Sequence, residues 1–121
     1  MKYMLLIYNN RATLEGLSEQ DQAELFGGVD AIMAELKESG EFVGGNALAD
    51  PSTAKTVRQR GDAVVATDGP FAEAKEQFAG YLTVDCESEE RALEIARRWP
   101  DPRYGGAIEV RALMDQSGTE M

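Results

Sequence analysis

The stretch GYLTVDCESEERALEIARRWP, residues 80–100, decides the fold. Residues 80–86 alternate strictly, with Leu82 and Val84 on one side and Tyr81, Thr83 and Asp85 on the other, the period of a strand with one buried face. Ser88 then offers a side-chain oxygen to orphan amides of a helix start, and Glu89 and Glu90 meet the positive end of its dipole. Ala92, Leu93, Ile95, Ala96 and Trp99 recur at helical spacing, and Pro100 ends the helix because it has no amide to donate. Residues 107–113 (AIEVRAL) return to a strand. This half of the chain reads β-α-β.

Working outward, the N-terminal half repeats the order. Residues 2–8 (KYMLLIY) form a continuous apolar run, expected as a central strand buried on both faces. Asn9-Asn10 ends it and a polar connection follows. Ser18 and Asp21 form a capping-box-like start. Leu25, Phe26, Val29, Ile32, Met33 and Leu36 then share one face of a helix ending at Gly40. Gly27 and Gly28 inside it cost about 1 kcal/mol each relative to alanine, and are read as close packing on a sheet. Residues 42–48 (FVGGNAL) suggest a short strand interrupted by glycines, and Asp50-Pro51-Ser52 a turn. Residues 55–60 and 63–67 flank Gly61-Asp62, a hairpin turn. Arg60-Gly61-Asp62 also spells a cell-adhesion tripeptide, which the hairpin explains better. The sum, β-α-β, hairpin, β-α-β, predicts an α+β, ferredoxin-like split βαβ sheet with two helices on one face. One domain spans residues 1–114, and residues 115–121 form a polar tail.

Composition narrows the function. In 121 residues, 22 acids face 12 bases, a formal charge of -10. That charge argues against nucleic acid and against an anionic membrane surface, both of which need lysine and arginine patches. A single cysteine, Cys86, and the lack of a secretory or transmembrane run fit a cytoplasmic protein. With no histidine at all, a zinc site is not expected, and proton transfer would fall to carboxylates, lysine, tyrosine or cysteine. No cofactor is expected. Cys86 reads as a small core residue.

A sheet with both helices on one side must occupy its other face. Alternation places Tyr81, Thr83, Asp85, Glu109, Arg111 and Leu113 there, joined by Arg58 and by Tyr3 or Tyr8 according to register. Such a face suits a dimer interface with paired Glu and Arg. It also suits a polar pocket between two sheets, with Arg58 or Arg111 as anion anchors. The two are compatible.

Residues 67–78 (TDGPFAEAKEQF) crowd a turn, a proline and four charges between apolar runs. Asp68, Gly69 and Pro70 have a plain job as turn residues, with Gly69 free to take a positive φ and Phe71 expected to anchor the loop in the core. Against that, Asp68 at a strand end, partly buried near Glu73, Lys75 and Glu76, would be a general acid or base. Glu73, Lys75 and Glu76 equally fit a solvated turn with Glu/Lys pairs. Tyr8 and Tyr81 read as packing and hydrogen-bonding residues.

The tetrapeptide Asp68-Gly69-Pro70-Phe71, followed by Ala72-Glu73-Ala74-Lys75-Glu76, closely resembles the signature of the YCII-related family, DGPF subgroup. So do the N-terminal MKYMLLIY, Gly80-Tyr81, Ala96-Arg97-Arg98 and Ile108-Glu109-Val110-Arg111. The resemblance implies a dimeric α+β barrel made by two sheets face to face. Some YCII-like relatives are thought to use a His-Asp pair; this chain has no histidine, and carries Trp99-Pro100 where many relatives read His-Pro. The expectation is a homodimer binding a small anionic molecule, with Asp68 as the acid/base or orienting group. Arg58, Gly69, Pro70, Phe71, Glu73, Lys75, Tyr81 and Arg111 would line the site. If it catalyses, the chemistry is cofactor-free, isomerase- or lyase-like. The alternative is a non-enzymatic dimeric interaction or regulatory module.

Overall fold

The two β-α-β halves interleave into one antiparallel sheet. The computed structural model describes residues 1–72, 74–115 and 117–118. Its elements are β1 (Lys2–Asn9), α1 (Arg11–Glu15), α2 (Glu19–Ser39), β2 (Phe42–Ala47), β3 (Lys55–Arg60), β4 (Ala63–Asp68), β5 (Gln77–Asp85), α3 (Glu89–Arg98) and β6 (Ala107–Ala112). The main sheet runs β2-β5-β1-β6, and β3 and β4 form a separate hairpin. All neighbours in the main sheet are antiparallel, so each half supplies one central and one edge strand. This is the α+β, ferredoxin-like architecture read from the periodicity, with the hairpin inserted between the halves.

Both long helices lie on one face. Ile32 and Leu36 of α2 meet Ala92 and Ile95 of α3 over Tyr3, Leu5, Leu82 and Val84 of the sheet. The expected caps form: Ser18 accepts from the Asp21 amide at 3.1 Å, and Ser88 from the Arg91 amide at 3.1 Å. Gly40, at φ 81°, closes α2 in the left-handed conformation that favours glycine. In β6, Ile108 and Val110 pack on the core, while Glu109 and Arg111 are exposed on the other side, as alternation required.

Three readings change. The polar connection after β1 contains α1, whose start Asn10 caps through the Thr13 amide at 3.2 Å. β1 is central, yet only the Tyr3 and Leu5 side is fully buried; Met4 and Leu6 on the opposite side are half-buried, because both long helices pack on the Tyr3 and Leu5 side. Gly28 packs against Pro100 rather than the sheet, a β-carbon there meeting the Pro100 ring at 3.4 Å.

The far end of α2 is clamped. Arg91 donates from Nε and Nη2 to the two oxygens of Glu41 at 2.9 and 2.8 Å, and from Nη1 to Glu94 at 2.9 Å. Arg98 donates to Glu35 on α2 at 2.7 Å. These bonds fasten the C-terminal half of α2 to α3, while its first half stands off the sheet.

Candidate active site beneath the second helix

Small residues create the space under α2. Gly45 and Ala47 of β2 and Ala79 and Gly80 of β5 line the sheet side of a pocket of about 690 Å³. At two of these positions nothing larger than hydrogen fits: a β-carbon on Gly45 would lie 2.6 Å from the Tyr81 carbonyl oxygen, and one on Gly80 would lie 2.8 Å from that of Asn46. The strands thus approach closely and leave no side chains to fill the volume above. Leu25, Phe26, Val29 and Met33 of α2 roof it, and Leu14 of α1 closes one end. The size is that of a small-molecule site, and the lining is mostly apolar with few polar groups.

The most buried polar residue of the lining is Asp101, only 6% exposed. Pro100 and the short turn Asp101–Tyr104 set its position, and the Gly106 amide donates to its backbone carbonyl at 3.1 Å. Gly106 is squeezed there, since a β-carbon would lie 2.4 Å from the Tyr8 carbonyl oxygen. The end of β1 is therefore held against Asp101, and Asn9 donates from Nδ2 to Asp101 Oδ2 at 3.2 Å. Burial pushes the Asp101 carboxyl above the usual aspartate range, and hydrogen bonds from the Asn9 and Trp99 side chains partly oppose the rise. A buried carboxyl with neutral partners, beside a cavity, can hold or pass a proton.

Two charged side chains share the lining, Arg11 and Glu15 of α1. Arg11 is engaged: its Nε donates to Asp50 at 2.9 Å and lies 3.9 Å from Glu15. Asp50 sits at about 2, held down first by the Ser52 amide and then by Arg11. Among the described residues no cluster of acids and cysteine could hold a metal ion.

The residues singled out from sequence are dispersed. Tyr81 reaches the pocket lining and bonds Asn46 Nδ2 through its hydroxyl at 3.0 Å. Asp68 lies at the end of β4, its side chain 88% exposed and ion-paired with Lys55 across the hairpin; the expected partial burial is not found, because the hairpin leaves the main sheet. Gly69 takes its positive φ of 100°. The loop is pinned to β3, with the Gly69 amide on the Ala54 carbonyl and Thr56 Oγ1 on the Gly69 carbonyl, both at 2.8 Å. Phe71 does not enter the core. It is 74% exposed, and the Arg58 guanidinium stacks over its ring at 5.1 Å. Pro70 is half-buried, Lys75 is exposed, and Glu73 lies outside the described residues. Arg111 stands on the uncovered sheet face beside Glu109, which accepts from the Tyr8 hydroxyl at 3.3 Å. Tyr3 faces the core. Asp101 and Asn9 were not anticipated. The only sequence sign was an aspartate between two prolines, Pro100 and Pro102, just after a helix.

The model of the YCII-related domain matches residues 1–117. The chain belongs to the YCII-related family. It is similar to an uncharacterised protein of Rhizobium meliloti (strain 1021), 31% identical over 114 residues, covering 93% of this chain and 92% of that protein. The family assigned from the loop, the N-terminal strand and the last strand is thereby shown over essentially the whole domain.

Proposed function

We propose that this YCII-related protein binds a small organic molecule in the pocket beneath α2, oriented by Asp101, and that any turnover is cofactor-free proton transfer at that carboxyl. The observation that carries the reading is a pocket of about 690 Å³ whose lining includes a buried carboxyl. Isomerisation and elimination both need one group that accepts a proton and returns it, and a carboxyl raised by burial is suited to that. Asp68, exposed and paired with Lys55, is better read as part of the turn that locks the DGPF loop to its hairpin. The intact tetrapeptide supports placing the chain in the DGPF subgroup.

The test is a small-molecule screen by thermal shift on wild type and Ala47→Phe, which fills the pocket from β2. A ligand at about 100 times its Kd stabilises by about 2.7 kcal/mol. Compounds that raise Tm in the wild type and not in Ala47→Phe support the site. Equal shifts in both place binding elsewhere.

A second reading concerns the uncovered face. Met4, Leu6, Tyr8 and Leu113 are half-buried there with no helix layered over them among the described residues, alongside exposed Glu109 and Arg111. Such a face favours a homodimer packed sheet to sheet, in which Arg111 would be available to an anion. Sedimentation equilibrium on wild type and Leu6→Glu tests it: a dimer that the substitution converts to monomer supports the packing, and a wild-type monomer at tens of micromolar refutes it.

A further inference from the structure

We propose that the ligand class of this pocket is a small primary amine or comparable cationic hydrogen-bond donor on an apolar body, with its head group on Asp101. The inference rests on the pocket reading above and adds the chemistry of the occupant. Asp101 is nearly inaccessible, and its side-chain partners are the neutral Asn9 and Trp99. An ionised carboxylate has about four acceptor sites and needs a counter-charge when withdrawn from water. Among the described residues the one cation of the lining, Arg11, is shared between two acids. Arg11 is held by Asp50 at 2.9 Å with Glu15 at 3.9 Å, and Glu15 is itself an acid. With Asp101 ionised, Arg11, Glu15 and Asp101 together leave the lining one negative charge in excess. The whole chain, at -10, draws cations toward it and repels anions. The roof and floor ask for a hydrocarbon body: Leu25, Phe26, Val29 and Met33 above, glycine and alanine backbone below. An ammonium supplies what the buried carboxyl lacks, and the direction of the Asp101 titration agrees, since burial without a cation is what raises it.

Three probes of matched shape separate the alternatives: cyclohexylmethylamine, cyclohexylmethanol and cyclohexanecarboxylate. Each is titrated at pH 7 into the isotope-labelled protein, and Kd is read from amide shifts at pocket residues such as Leu25, Ala47 and Gly80. Charge-assisted bonding should favour the amine over the carboxylate by about tenfold or more. In Asp101→Asn the preference should fall to within about twofold. The Asp101 carboxyl carbon resonance of the wild type should also titrate at lower pH with the amine bound than without it, a readout that needs no variant. Equal binding of all three, tighter binding of the carboxylate, or an amine preference that survives in folded Asp101→Asn overturns the inference while leaving the pocket intact. Failure of all three to shift pocket amides removes the pocket reading, and this inference with it.

Discussion

Replacing Arg91 with methionine should destabilise the fold mainly by stranding Glu41. The Arg91 side chain is 20% exposed and that of Glu41 16%, and their two bonds at 2.9 and 2.8 Å form a bidentate pair. Breaking a well-buried pair from one side costs about 3–5 kcal/mol, largely from the abandoned charge. Residual exposure lets water reach part of this pair and reduces the figure to about 2–3 kcal/mol. With an unfolding entropy of about 2.1 cal/mol/K per residue over 121 residues, that lowers Tm by about 8–12 °C. The effect should depend on pH with a definite sign. Bonding to Arg91 holds the Glu41 carboxyl below its ordinary value, so its contribution is present above the unfolded pKa and lost as pH falls through the folded one. Urea unfolding at pH 7 and pH 3 measures it, and the loss caused by Arg91→Met should be smaller at pH 3. The double variant Arg91→Met, Glu41→Gln should be less destabilised than the sum of the two single changes. A cost below about 0.5 kcal/mol at neutral pH, or strict additivity, refutes the clamp.

Asp101→Asn should show the opposite pH trend. Burial raises this carboxyl, so its wild-type contribution to stability is full below the unfolded pKa and is lost as pH rises through the folded value. The variant's stability relative to wild type should therefore improve from pH 3 to pH 7 in urea titrations; a decline contradicts the burial argument. Gly80→Ala places a β-carbon 2.8 Å from the Asn46 carbonyl oxygen and 3.2 Å from the Ala47 α-carbon, both backbone atoms, so β2 must move. A loss of about 1–3 kcal/mol is expected, together with weaker binding of whatever the pocket holds. Lys55→Ala removes an ion pair in which both side chains are more than half exposed, and should leave Tm within a degree or two of wild type. A large drop would show that the DGPF hairpin is held in some other way.

Most of the fold was legible in the chain because the signals that specify it are local. The period of two in residues 80–86, the 3.6-residue recurrence in 92–99, Ser18 and Ser88 as caps, and Gly61-Asp62 between two runs each act within a few residues. Repeating β-α-β then leaves few ways to pair the strands, and the β2-β5-β1-β6 order follows. The turn at Asp68-Gly69-Pro70 was legible for the same reason, Gly69 taking the positive φ expected of it. Its surroundings were not, because whether Asp68 and Phe71 are buried depends on where the hairpin goes, and it departs from the main sheet instead of joining it.

The amino-acid sequence by itself determined the strands and the two long helices, their order, the helix-covered side of the sheet and the lack of an imidazole for catalysis. Only the tertiary structure decided which aspartate is buried. Asp68 and Asp101 both stand at element ends within two residues of a proline, and composition does not distinguish them. What separates them is long-range: Asn9 reaching Asp101 from the end of β1, Gly106 pressed on the Tyr8 carbonyl, and a helix clamped at one end over a floor of glycine and alanine. Burial is a sum over distant neighbours, so the pocket and its carboxyl come into being only when the chain closes on itself.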